Sequence, residues 1–222
     1  MIIIMLGAPG TGKGTVAAIL SKKMEISHVS SGDIFRKAIS DKTPLGEELN
    51  SYMSKGALVP DDLTIRIIED RLLQDDIKDG VILDGFPRTE AQAIELDRFL
   101  KENGKEITMA INLETPEEEI IERIVTRRVC SNPDCKTVYN LIMNPPKTEG
   151  ICDACGSEVI QRKDDNEETI KNRLNTYYET FEPIVKFYKG KDILQSFTVS
   201  SKINKLGEDV ASDILEILKE KK

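Results

Sequence analysis

Gly7-Ala8-Pro9-Gly10-Thr11-Gly12-Lys13-Gly14-Thr15 joins an apolar run, Ile2 to Leu6, to a helical pattern from Thr15 to Met24. A glycine-rich turn in that setting can wrap its backbone N–H groups around an anion, and the helix that follows adds the positive end of its dipole. Lys13 has the reach to touch β- and γ-phosphates, with Gly10, Thr11, Gly12, Gly14 and Thr15 forming the rest of the cradle. The usual form of this loop carries Ser or Thr directly after the lysine. Here Gly14 stands there and Thr15 comes one residue later, so Thr15 or another residue must help place Mg²⁺. The loop implies binding of nucleotide phosphates and leaves open what is done with them.

The arginines narrow that question. There are ten, and several stand where they could meet the loop: Arg36 after Ser30-Ser31-Gly32-Asp33, Arg88 in Asp84-Gly85-Phe86-Pro87-Arg88, Arg123, Arg127 with Arg128, Arg162 and Arg173. Guanidinium forks grip phosphate oxygens bidentately. A hydrolase needs few of them, whereas an enzyme holding two phosphorylated substrates needs many. On helical stretches Arg123 and Arg173 could equally be solvated or paired with a nearby Glu. The Asp84–Arg88 segment directly follows the apolar run Val81-Ile82-Leu83, at the carboxyl edge where open α/β sheets bind ligands, and Asp84 could hold a water on Mg²⁺.

All four cysteines fall between positions 130 and 155: Cys130 and Cys135 with four residues between them, then Cys152 and Cys155 with two, the pairs separated by 16 residues. Two such knuckles suit a tetrahedral metal, zinc above all, with no open position. Pro133 and Asp134 suit the enlarged first turn. A small insertion with no core of its own would be stapled by such an ion.

The elements that must hold these groups alternate. Further apolar runs at Ile107 to Leu113 and, more weakly, Ile193 to Val199 are separated by helical patterns, as in a parallel sheet covered on both faces. Thr115-Pro116-Glu117-Glu118 reads as a helix start, with Thr115 as cap and Glu118 closing a capping box. Leu206, Val210, Ile214 and Leu218 mark one face of a final helix, and Lys219–Lys222 its solvated end. Two segments break the rhythm and read as insertions on the rim of the sheet: residues 31–59, with two short helical patterns and no strand, and residues 130–161, rich in Cys, Pro, Asn and Gly. Across 222 residues there are 31 Lys and Arg against 39 Asp and Glu, a net charge of −8, so a basic sheath for nucleic acid or anionic membrane is not the design. The lone His28 excludes most chemistry that needs two histidines. The Met1–Leu6 run is too short for a signal peptide, and no stretch approaches the ~20 apolar residues of a spanning helix. A cytosolic protein is expected, in which the cysteines would not form stable disulfides.

The glycine loop through Lys13-Gly14-Thr15, Ser31-Gly32-Asp33 with Arg36, Asp84 to Arg88, Gln92, Arg127-Arg128, and Arg162 with Asp164-Asp165 and Arg173 together resemble the adenylate kinase family. The resemblance covers essentially the whole chain and is to the long-lid, zinc-bearing bacterial form. It implies an α/β fold: a P-loop three-layer sandwich with a central parallel five-stranded sheet. Residues 1–29, 60–126 and 165–222 would be the core, 30–59 a helical AMP-binding insertion, and 127–164 a zinc-ribbon-like lid, with Gly56 and Asp164-Asp165 as flex points. It implies γ-phosphoryl transfer from Mg·ATP to AMP, with ATP, AMP and ADP as partners, no nucleic acid or membrane, and a monomer. Gly10 to Thr15 would bind ATP phosphates; Arg123 and Arg127 would join them from the lid hinge, Val138 and Tyr139 from the lid, and Ser201 or Lys202 would touch the adenine. Ser31, Arg36, the backbone of Ala57, Leu58 and Val59, Gly85, Phe86, Pro87, Arg88 and Gln92 would bind AMP, with Gln92 reading its base. Arg88 would meet both substrates, and Arg162 and Arg173 would clamp the phosphates in flight. Cys130, Cys135, Cys152 and Cys155 would hold structural zinc. A kinase for UMP, CMP or GMP is the nearest rival, which the long lid and Gln92 disfavour. A nucleotide-sensing zinc ribbon is a rival of another class, which the arginines disfavour.

Overall fold

The computed structural model describes residues 1–203 and 205–220. Lys221 and Lys222, the end of the expected solvated tail, lie outside these. Strand β1 (Ile2–Gly7) is buried on both faces because both carry aliphatic side chains. Ile2, Ile4 and Leu6 pack on one side with Ile68 and Leu72 of α4 (Asp61–Leu72), Leu96 and Leu100 of α5 (Glu90–Glu102), and Ile184 and Tyr188 of α7 (Glu167–Gly190). Ile3 and Met5 pack on the other with Val16, Ala17 and Leu20 of α1 (Lys13–Met24) and Val210, Ile214 and Leu218 of α8 (Gly207–Glu220). These are the three layers.

The main sheet is parallel and runs β2 (Ser27–Ser30), β3 (Val81–Asp84), β1, β4 (Met109–Glu114), β8 (Leu194–Thr198). From β1 the chain crosses to β2 on one side, and from β3 it crosses past β1 to β4 on the other, so the winding reverses at the carboxyl ends of β1 and β3, a topological switch point where such sheets bind ligands. Register does the positioning. Met5 lies beside Asp84, and Asp84 beside Ser30, so the glycine loop, the Asp84–Arg88 turn and the start of α2 (Ser31–Ser40) emerge side by side.

The edge strand β2 has no apolar run to betray it: Ser-His-Val-Ser buries only Val29. Helix α6 (Glu117–Val125) departs from its expected start. Pro116 occupies the cap position, the Thr115 hydroxyl donates instead to Val199 O at 2.8 Å, and no side chain caps the helix. Glu118 turns outward to Lys202, so there is no capping box; Glu117, Glu118 and Glu119 in the first turn meet the dipole by charge. Leu206 precedes α8 and is half-exposed, leaving Val210, Ile214 and Leu218 as its buried stripe.

Between β2 and α4 stand α2 and α3 (Pro44–Met53), with a small core of Phe35, Leu49, Val59 and Leu63. After α6 the chain forms a three-stranded antiparallel sheet, β6 (Val138–Asn140), β5 (Arg127–Cys130) and β7 (Val159–Ile160). Against it Cys130, Tyr139 and Cys152 form a small buried cluster, and Val129 of β5 is buried as well. Among the described residues no helix is long and apolar enough to cross a membrane.

Candidate active site

A cleft of about 830 Å³ opens over the carboxyl ends of β1 and β3, and a narrower recess continues from it between α2 and the Gly85–Arg88 turn. The volume is that of a site for one or more small molecules. The glycine loop forms the floor. Gly12 caps α1 at φ 91°, a conformation open to glycine and costly for other residues. A side chain at Gly10 would run into Ile124, with its Cβ 2.8 Å away. Gly14 faces Asp84, whose Oδ2 would lie 3.3 Å from a Cβ there, a tight approach to a side-chain end. Thr15 lines the cleft, whereas Thr11 is buried under the loop, its hydroxyl donating to Ala8 O.

Lys13 is half-buried, and its Nζ donates to Gly7 O and Ala8 O, each at 2.7 Å. Burial drives its pKa down to about 7; Asp84 opposes the shift, and Arg88, Arg173 and Arg127 add to it. At Asp84 burial favours the neutral form, but His28 and Lys13 outweigh it and hold the carboxyl below its usual range. His28 Nε2 stands 3.4 Å from Asp84 Oδ2 without hydrogen-bond geometry.

The expected arginines converge. Arg36, Arg88 and Arg173 line both cleft and recess, and Arg123, Arg127 and Arg162 line the cleft. Most are held by carboxylates: Arg36 by Asp33 at 2.5 Å, Arg123 by Glu119 at 2.9 Å, Arg127 by Asp165, and Arg173 by Asp164 at 3.1 Å, while Arg162 stands 3.9 Å from Asp33. The pairing with glutamate expected as one option for Arg123 is therefore present, yet Arg123 still borders the cleft. Arg88 differs. Its Nε donates to Gly85 O at 2.8 Å, and among the described residues no carboxylate pairs with it. Burial lowers the pKa of Arg162 and of Arg173 to about 10, and that of Arg88 also falls. Eight cations, Lys13 and Lys136 included, thus share the site with five carboxylates (Asp33, Asp84, Glu119, Asp164 and Asp165), a local positive excess on an acidic chain. A phosphate group entering here is stabilised by charges that already crowd one another.

The recess is lined by Ser31, Ala57, Leu58, Val59, Gly85 and Gln92. The Ser31 hydroxyl donates to Gly85 O at 2.7 Å, tying α2 to the turn. Gln92 accepts from Arg88 N and donates to Asp61 Oδ1, both at 2.7 Å. A primary amide has two N–H groups and two lone pairs, so one of each remains for a ligand. Pro87 borders the cleft, but Phe86 points into the core. Val138 and Tyr139 reach the cleft from the small antiparallel sheet. Ser201 and Lys202 do not line it: their side chains are engaged by Glu119 and Glu118. At that end Val199, Leu206 and Gly207 form the wall. Leu206 escaped notice because its four-residue spacing from Val210 reads as helix core. Lys136, another lining residue, carries no local motif.

The four Sγ atoms lie within 4.8 Å of one another, with Cys130–Cys155 at 3.4 Å and Cys135–Cys152 at 3.7 Å. Zn–S bonds of ~2.3 Å in a tetrahedron require S···S of about 3.8 Å, so this donor set fits the ion. The long first knuckle closes as a turn on Asn132, whose side chain accepts from Asp134 N and whose carbonyl accepts from Cys135 N and Lys136 N.

The adenylate kinase family model matches residues 5–193. Similar proteins bearing that name include one from Clostridium perfringens (strain SM101 / Type A), 51% identical over 210 residues, 95% of this chain and 96% of the relative. One from Clostridium novyi (strain NT) is 49% identical over 214 residues, 96% and 98% of the two chains. One from Staphylococcus epidermidis (strain ATCC 35984) is 46% identical over 218 residues, 98% and 99%. Near half identity along almost its full length places the chain in the adenylate kinase family, the phosphotransferases that act on ATP and AMP.

Proposed function

We propose that the cleft takes Mg·ATP, that the recess takes AMP, and that the γ-phosphoryl passes in line between them to give two ADP, reversibly, in the service of adenine nucleotide balance. The observation that carries this is that Arg36, Arg88 and Arg173 border both spaces at once, where a group in transit would have to be. Phosphoryl transfer asks a protein mainly to position reactants and neutralise charge. An AMP phosphate oxygen is already anionic near neutrality, so no general base is required.

In this reading Lys13 and the Gly10–Thr15 amides hold the triphosphate, with Arg123, Arg127, Val138 and Tyr139 meeting it from the lid side. Arg36, Ser31, the 57–59 backbone and Gly85 to Arg88 hold AMP, and the free edge of Gln92 reads its base. Ser201 and Lys202, set back from the wall, would serve the adenine through backbone or by shifting inward. Mg²⁺ arriving with ATP would neutralise the β- and γ-phosphates, with Asp84 and Thr15 as the residues placed to hold its waters. Cys130, Cys135, Cys152 and Cys155 would hold a structural Zn²⁺ that lends the lid the rigidity its small core lacks and takes no part in the chemistry.

Residues 30–59 and 127–164 would close as two bodies over their nucleotides and exclude water, as is already described for adenylate kinases. The 3.9 Å approaches of Arg36 to Asp164 and of Arg162 to Asp33 support this, since each joins one insertion to the other side of the cleft. A monomer suffices, because one chain completes both spaces. A cytoplasmic setting suits four thiols grouped for a metal. A coupled ADP assay with Mg·ATP and AMP, UMP, CMP or GMP in turn, and ATP alone as control, tests the reading. Turnover with AMP foremost is expected. Preference for another monophosphate would overturn the role of Gln92, and ADP from ATP alone would overturn the two-substrate site.

A further inference from the structure

Glu119 is 4% exposed, and every polar group around its carboxylate is a donor. Ser200 Oγ donates at 2.5 Å, Ser201 N and Ser201 Oγ each at 3.1 Å, and Arg123 Nη2 at 2.9 Å. A buried carboxylate is unfavourable unless it is paired and hydrogen-bonded, and this one is both. The donors come from two distant places. Arg123 is one turn along the same helix. Ser200 and Ser201 begin a loop closed by reciprocal backbone bonds between Ser200 and Lys205, at 2.9 and 3.0 Å. Lys202 N donates to Ser200 Oγ at 3.2 Å, so the turn of this loop is keyed to the same carboxylate. Val199, Leu206 and Gly207, which flank the loop, wall the cleft that Arg123 also borders. The Glu119 bond is the one side-chain hydrogen bond of Arg123 among the described residues, and its Nε is buried without a partner.

We infer that Glu119 is a positioning residue for the ATP half of the site, one buried anion that sets both the direction of the Arg123 guanidinium and the placement of the wall formed by Val199, Leu206 and Gly207. The inference rests on the phosphotransfer reading above and deepens it. AMP, held on the far side of Arg88, lies outside its reach.

The charge matters as well as the shape. Glutamine keeps the volume but offers one oxygen to four donors and turns its own N–H groups toward Arg123 or Ser201. Steady-state kinetics of Glu119→Gln with each nucleotide varied, and the Kd for a fluorescent ATP analogue without AMP, read the effect. Loss of a hydrogen bond to a charged group should raise KM for ATP and the analogue's Kd by roughly 10-fold or more, with KM for AMP within about 2-fold. In an Arg123→Ala background the same change should add less than about 3-fold, because the two act together. Unchanged ATP affinity, or KM values for both nucleotides rising in parallel, would overturn the inference, whatever happens to the melting temperature. If Glu119→Gln does not fold, Ser200→Ala removes one donor and should show the same ATP-only asymmetry at about 3-fold; equal effects on both nucleotides would overturn the inference there too. A wild-type protein that binds the analogue but leaves AMP untouched would refute phosphotransfer, and the binding arm would still decide the role of Glu119.

Discussion

Replacing Lys13 by methionine should abolish most activity and, at neutral pH, make the ligand-free protein more stable. Burial, with Arg88, Arg173 and Arg127 adding and Asp84 opposing, brings the Lys13 pKa from 10.5 to about 7. A lysine whose folded pKa lies below its unfolded value is penalised wherever the unfolded chain holds the proton. The penalty is complete below about pH 7, shrinks by ~1.4 kcal/mol per pH unit above that, and is gone beyond about pH 10.5. A fall of about 3.5 units corresponds to ~5 kcal/mol if the group is wholly shielded. Water reaching a half-buried ammonium at the cleft floor reduces that to about 2–3 kcal/mol and narrows the window with it: a penalty of that size stays level to about pH 8.5–9 and closes from there to about pH 10.5. Urea unfolding of the two proteins at pH 7, 8, 9 and 10 measures it, and their difference cancels the other titrations they share. The methionine protein should be more stable by about 2–3 kcal/mol at pH 7, with the gap closing as pH rises. ATP should reverse the order, since its phosphates favour the ammonium. A methionine protein that is less stable at pH 7, or a gap that ignores pH, would mean that Lys13 carries no such penalty in the folded protein.

Other expectations follow from the same structure. Arg88 has no carboxylate partner to orphan, so Arg88→Ala should lower kcat by ~10²-fold or more while thermal stability stays near wild type, and near-normal turnover would remove it from the transition state. Metal analysis should find one zinc per chain, and Cys152→Ser should lower the melting temperature by roughly 5–10 °C through a loss of ~2–3 kcal/mol; a zinc-free protein with the same melting temperature would contradict the staple. The Tyr188 hydroxyl is fully buried without a partner, so Tyr188→Phe should be neutral or stabilising by ~1 kcal/mol in chemical denaturation, and a clear loss would reveal an unseen partner.

What could be read in advance was what is local. The glycine loop is contiguous, and the apolar runs of β1, β3 and β4 announce strands buried on both faces, while the weaker run of β8 belongs to an edge strand with no fully buried residue. Strand β2 stayed hidden because an edge strand of Ser-His-Val-Ser buries one side chain. The three short strands of the small antiparallel sheet stayed hidden because two to four residues carry no period. The start of α6 misled because Thr115 had a better acceptor at Val199, 84 residues away. Long-range partnerships of that kind are not written in spacing. The pairing of Arg123 with Glu119 is visible at i,i+4, but its meeting with Ser200 requires the β4–β8 register to be known. That several arginines could meet the loop was legible from the segments they stand in, their separate roles came from resemblance, and the register of β1, β3 and β2 supplies the physical reason for the meeting.

In the proposed reaction phosphate passes directly from one bound nucleotide to another with water shut out. ATP labelled in its γ-phosphoryl group, mixed with AMP and stopped within the first turnover, follows that group directly. The label should appear in the β-position of ADP formed from AMP, with inorganic phosphate at the level of an enzyme-free control. Label in inorganic phosphate, growing with enzyme concentration and indifferent to AMP, would contradict the account.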